Sequence, residues 1–133
     1  MKLYVADAFT TQRFSGNQAG VAVLGTEPFP AEELMRALAG ELKHSETAFV
    51  RQTGEKSFHI RYFTPAEEVD LCGHATIASF TVLRDTGAIG PGDYALHTRS
   101  RASRSFTGRR MSSRPVLTAW ASRPSGRSAR DRP

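Results

Sequence analysis

Residues 63–80 read FTPAEEVDLCGHATIASF, and the parsing of this stretch decides the fold. An acidic loop leads into Leu71-Cys72-Gly73-His74, and no charge follows between His74 and Arg84. A helix over 74–84 is apolar nearly all round, which predicts a buried helix rather than a surface one. Asp85-Thr86-Gly87 ends it. Its start leaves free backbone N–H groups and the positive end of the helix dipole at Gly73 and His74. Such a point binds carboxylates and other anions. Asp70, the thiol of Cys72 and the imidazole of His74 share the same five residues. The stretch therefore looks like half of a small-molecule active site.

Working outward, residues 2–9 alternate loosely and predict a strand, followed by a polar loop over Thr10–Gln18 with a Gly-Asn turn signal. The apolar run 19–24 predicts a buried strand. Pro28 and Pro30 punctuate the chain before a helix at 31–42. Glu32 and Glu33 suit its first turn, Leu34, Leu38 and Leu42 share one face, and Lys43 and His44 suit its C-terminus. Strands are predicted at 47–52, at 57–63 (Phe58, Ile60 and Tyr62 on one face) and at 94–98. The order β-β-α-β-β-α-β implies an α+β fold, a mixed β-sheet wrapped around a central helix.

The charge is uneven. Residues 1–98 hold 8 Lys+Arg and 12 Asp+Glu (−4), whereas 99–133 hold 10 Arg and one Asp (+9), which together give the net +5. The second segment is rich in Arg, Ser and Pro and has no structural period. It cannot bury enough apolar surface to offset its ordering entropy. Two regions are therefore expected, a folded body over 1–98 and a basic disordered tail over 99–133. The tail has the composition of an out-of-frame reading of GC-rich coding sequence. One cysteine in the chain excludes a disulfide framework and fits a reducing compartment. The start MKLYVADAF lacks the pattern of a signal peptide, and no apolar run approaches the roughly 20 residues of a membrane span. A cytoplasmic, membrane-free protein is expected.

Three motifs occur in order: F-x-G-N-Q-A-G-V (Phe14–Val21), S-E-T-A-F (Ser45–Phe49) and F-T-P…E-V-D-L-C-G-H-A-T (Phe63–Thr76). Together they resemble the PhzF-like family of phenazine-biosynthesis-type isomerases, over residues 1 to about 98. The resemblance implies one lobe of a diaminopimelate-epimerase-like fold, whose site lies in a cleft between two similar lobes; the second lobe is missing from this chain. It also implies cofactor-independent proton transfer on a small carboxylate metabolite, with an acidic residue and backbone donors coming from the second lobe. A truncated chain is then expected to be inactive alone. The lobe face left exposed is expected to be apolar and to promote self-association.

By this resemblance Glu46 is the catalytic acid/base. A carboxyl group in an apolar cleft has its charged form destabilised, and Thr47-Ala48-Phe49 could supply that environment. Gly73 and His74 would hold the substrate carboxylate, against the plainer reading of a helix-starting glycine and a structural histidine. Asp70 would orient His74 or bind a polar substrate group, or else cap the helix. Asn17 would border the cleft, or else only form a left-handed turn. Cys72 opens an alternative, because racemases of this fold use a thiolate, and a helix N-terminus lowers a thiol pKa. That mechanism needs two cysteines. His44, His59 and His97 form no constellation. No metal site is expected, since Cys72 and His74 give only two ligands. The tail's arginines, with Phe106 and Trp120, would bind polyanions non-specifically. No recognition fold accompanies them, which argues against nucleic acid as the partner.

Overall fold

The computed structural model describes residues 1–8, 17–43, 46–99, 104–107 and 117–122. The elements run β1 (Lys2–Ala8), β2 (Asn17–Gly25), α1 (Glu32–Leu42), β3 (Thr47–Gly54), β4 (Ser57–Phe63), β5 (Glu68–Val69), α2 (Gly73–Asp85), β6 (Asp93–His97), β7 (Arg104–Thr107) and β8 (Leu117–Ser122). The main path of the sheet is β7-β6-β4-β3-β2-β1-β8, with β5 added on β4. β2/β3 and β4/β6 pair in parallel and the other ladders are antiparallel. The sheet is mixed, as expected.

The parallel pairs need crossovers, which α1 and α2 supply. Both crossovers step the same way across the sheet, yet β2 and β4 run in opposite directions. The right-handed crossover rule then sends the two helices to opposite faces. The packing agrees. On one face Ala19, Val21, Ala48, Val50, Phe58, Ile60, Tyr62, Tyr94 and Leu96 surround Ala75, Ala78, Phe80, Val82 and Leu83 of α2. On the other, Ala22, Leu24, Phe49 and Phe63 meet Met35 and Ala39 of α1. The register explains the division, since Val21, Ala48 and Tyr62 stand in one cross-strand row while Ala22, Phe49 and Arg61 stand in the next.

The central helix is buried, as its lack of charge predicts. Its buried hydroxyls donate to the preceding turn: Thr76 to the Cys72 carbonyl (2.8 Å), Ser79 to Ala75 (2.7 Å) and Thr81 to Ile77 (2.8 Å); at the C-cap Thr86 does the same to Val82 (2.7 Å). The hydroxyls of Thr76, Ser79 and Thr81 therefore enter the core satisfied. The Phe80 ring lies 5.9 Å from that of Phe58 and 6.3 Å from that of Tyr94.

Three sequence expectations need correction. The core stripe of α1 centres on Met35 and Ala39 with Leu38 packed beside it, whereas Leu34, expected on the same face, is 55% exposed. Asn17 and Gln18 are not turn residues: they open β2, opposite Ala8 and Asp7. Within the stretch expected to lack structure, Arg104–Thr107 pairs with β6 and Leu117–Ser122 with β1. Those two strands otherwise present unpaired backbone groups, and a segment needs no alternation of its own to satisfy them. Residues 100–103, 108–116 and 123–133 of the tail, with His44, lie outside the described residues.

Arg61 fastens the α1 face. It donates from Nε and Nη2 to the two oxygens of Glu68 (2.8 Å each), lies 3.6 Å from Glu32, and stacks 5.5 Å from the Phe29 ring and 5.3 Å from the Phe63 ring. The hydrogen bond from Arg61 holds the Glu68 carboxyl below its usual range. Beside it, His59 meets Phe29 edge-on at 4.9 Å. Burial, and then the Arg61 charge, lower the His59 pKa.

Two outcomes are expected. Phe80→Ala should cost about 3–5 kcal/mol in urea denaturation. Stability should also fall in acid. His59 and Glu68 both bind protons less readily folded than unfolded, so the stability they add is present above their ordinary values of 6.5 and 4.5 and is lost as pH drops through their folded values. Urea midpoints followed from about pH 8 to about pH 3 should lose the first decline in His59→Gln and the second in Glu68→Gln.

Candidate functional site

Glu46 sits immediately before β3, and the start of β3 is held against β2 by a close backbone approach. The Gly20 N–H donates to the Glu46 carbonyl at 3.1 Å, and Gly20 pairs with Thr47. A Cβ on Gly20 would stand 2.9 Å from Thr47 Oγ1, 3.2 Å from Thr47 Cγ2 and 2.9 Å from Leu42 Cδ1. Thr47 is fully buried and β-branched, so it has little room to yield. Glycine at this position fixes where the Glu46 backbone lies. The sequence reading passed over Gly20, although a glycine inside a strand signals such an approach.

From there the Glu46 side chain meets the start of α2. Its Oε2 lies 3.0 Å from His74 Nε2. That oxygen is buried and accepts no aligned hydrogen bond. Cys72 Sγ lies 3.2 Å from His74 Nδ1 and 4.0 Å from its Nε2. Thiol, imidazole and carboxylate thus form one cluster, with one donor atom from each lying within 4.8 Å of the others. Glu46 and His74 are partly exposed (22% and 15%), so the group lies near the surface rather than in the deep core. Gly73 is exposed, and no atom lies within 4 Å of where its Cβ would be. The Gly73 corner of the α2 start is therefore uncrowded, while the His74 and Ala75 amides lie toward the Cys72 sulfur.

The structure brings together Glu46, Cys72, Gly73 and His74, but not Asp70. Asp70 is 69% exposed and faces Arg99 at 3.6 Å. It does not cap α2, whose N-cap is Cys72, and the group beside His74 is Glu46. Asn17 is placed only as the first residue of β2. Cys72 also departs from expectation. Its thiol pKa is raised, chiefly by burial and further by the Glu46 carboxylate; the amides of Ala75 and His74 oppose this without prevailing. The helix N-terminus does not make a thiolate here. The expected limit of two metal ligands fails too, because Glu46 supplies a third donor from a distant segment. Behind the site, the Tyr62 hydroxyl shares a hydrogen bond of 2.5 Å with Thr76 Oγ1, and burial pushes the phenol pKa up to about 12. Tyr62 is therefore a neutral structural partner of the first turn of α2.

This is an α+β lobe in which a half-exposed carboxylate faces the amide end of a buried helix. Comparison with known proteins gives the family. The sequence model described as "Phenazine biosynthesis-like protein" (PhzC-PhzF) matches residues 6–124, and the chain belongs to that family. The chain is 48% identical over 85 residues to the Escherichia coli K12 protein named "Uncharacterized isomerase YddE", covering 61% of this chain and 27% of that protein. Among solved structures it is similar to a PhzF-family phenazine biosynthesis protein of Enterococcus faecalis, with a TM-score of 0.73 and 36% identity over 83% of this chain and 42% of that one. It is also similar to a PhzC/PhzF protein of Clostridium difficile, with a TM-score of 0.71 and 39% identity over 80% of this chain and 40% of that one. The chain thus spans well under half the length of these relatives.

The two glycines of the site should respond oppositely to substitution. Gly20→Val should lose about 1–3 kcal/mol through crowding at Thr47. Gly73→Ala, with open space around it, should stay within about 0.5 kcal/mol of the parent. Thermal melts of the two variants check both.

Proposed function

We propose that this chain supplies the proton-transferring half of a cofactor-independent isomerase or epimerase site acting on a small carboxylate. Glu46 is the acid/base. The amides at Gly73 and His74 hold the substrate carboxylate, as helix N-termini hold anions. His74 fixes the Glu46 carboxyl at the edge of that cradle. The observation that carries this reading is the 3.0 Å approach of Glu46 Oε2 to His74 Nε2 beside the uncrowded Gly73 corner of α2. A carboxyl group and a helix start then stand side by side, so a bound carboxylate can present its neighbouring carbon to a base within hydrogen-bond reach.

The names of relatives, an isomerase in Escherichia coli among them, support the same reaction class. Only one strong acid/base stands in the described part of the site, and a two-sided proton shuttle calls for a second group. We assign that group to an opposing lobe of the kind the family resemblance implies, so turnover by these 133 residues alone is expected to be weak. The thiolate-based alternative is disfavoured, because burial and Glu46 both keep Cys72 protonated.

The experiment is solvent exchange. The chain is incubated in D₂O with a panel of small unsaturated and 2-substituted carboxylates, and deuterium at the carbon next to the carboxylate is read by NMR. Glu46→Gln should slow exchange by about 100-fold or more while leaving carboxylate binding intact. Amide shifts at Gly73 and His74 report the binding separately. Unchanged exchange in Glu46→Gln would remove Glu46 from the chemistry, and carboxylates that leave both amides unmoved would remove the cradle.

A further inference from the structure

The same three side chains have a second capability that proton transfer does not use. A carboxylate oxygen, an imidazole nitrogen and a sulfur converge from two segments more than twenty residues apart. We propose that Glu46, Cys72 and His74 form a three-ligand binding site for zinc or a similarly thiophilic divalent cation, with the fourth position open to water.

The three donors stand near enough for one ion to draw them together. Tetrahedral zinc with ordinary Zn–S, Zn–N and Zn–O bonds places its donors about 3.3–3.6 Å apart. Here His74 Nε2 lies 3.0 Å from Glu46 Oε2 and 4.0 Å from Cys72 Sγ. The third side, Sγ to Oε2, is at most 4.8 Å, and Sγ sits nearer Nδ1 (3.2 Å) than Nε2, so the site closes when the imidazole turns and the thiol swings toward the carboxylate. Glu46 Oε2 is also a buried oxygen without an aligned hydrogen bond, which a cation would satisfy. The space beside Gly73 leaves room for the water.

The donor set selects the ion. Sulfur and imidazole favour zinc over magnesium or calcium, which take oxygen ligands. Binding forms the Zn–S bond and releases the Cys72 thiol proton to solvent. The bound dication is then balanced by one thiolate and one carboxylate. Zinc in this position also occupies the Glu46 carboxylate, and so it competes with the proton transfer proposed above. The metal site does not depend on that reading, because its ligands are tested without any substrate.

The probe is cobalt(II), followed by zinc, added to the whole chain. One equivalent of cobalt should give the near-ultraviolet thiolate-to-metal band and the visible bands of a four-coordinate ion, and zinc should bleach both. Cys72→Ser should abolish the thiolate band. Glu46→Gln and His74→Gln should each weaken zinc binding at least about tenfold in chelator competition, the lower bound set by losses at outer-shell partners. His59→Gln and His97→Gln should leave binding unchanged. A measurement on the parent chain alone guards against misfolded variants. The chain has a single cysteine, so zinc should slow its alkylation. A cobalt spectrum without the thiolate band, zinc binding lost only with His59 or His97, or alkylation indifferent to zinc would each overturn the site.

Discussion

The missing side chain at Gly20 is the constraint on which the site depends. It lets β2 come close enough to the start of β3 for one backbone hydrogen bond to anchor Glu46. Any larger residue must displace Thr47, which is buried and stiff. The three sequence motifs are far apart in the chain, and the fold explains why they belong together. The first supplies the close approach, the second the carboxylate, and the third the helix start that the carboxylate meets.

The buried helix α2 is the second half of that arrangement. A helix whose start binds anions must be held rigidly, yet that start must stay uncrowded. This chain achieves both by burying the middle of α2 among strands and turning its hydroxyls back onto its own carbonyls. Tyr62, neutral and fully buried, braces the first turn through Thr76. The rest of the sheet serves mainly to bring β3 and α2 into register.

Much of this was legible in the sequence. The uncharged run after His74 announced a buried helix, and Phe58, Ile60 and Tyr62 announced the inward face of β4. Glu46, Gly73 and His74 were named together, and the fold gathers them. What failed did so for physical reasons. Leu34 satisfies helical spacing with Leu38 as well as Met35 does with Ala39, and only packing against Phe49 and Phe63 leaves Leu34 out while keeping Leu38. Gly-Asn reads as a turn until pairing with β1 extends the strand through Asn17. The tendency of a helix N-terminus to activate Cys72 is a local inference. The burial and the distant carboxylate that reverse it are not local. For the same reason a third metal-type donor was invisible, since Glu46 stands outside any ligand spacing with Cys72 and His74. The strands at 104–107 and 117–122 are formed by what they pair with rather than by their own pattern.

The opposite placement of the two helices gives the sheet two unlike sides. On one, apolar packing around α2 does nearly all the fastening. On the other, a guanidinium joins the first turn of α1, β4 and β5 through two carboxylates and two rings. Ionic strength screens the second kind of attachment and scarcely touches the first, whereas cooling weakens the first. The protein therefore has separate solvent handles on its two sides. A brine would slacken the exposed Arg61–Glu32 tie on the α1 side while leaving the carboxylate-facing helix seated.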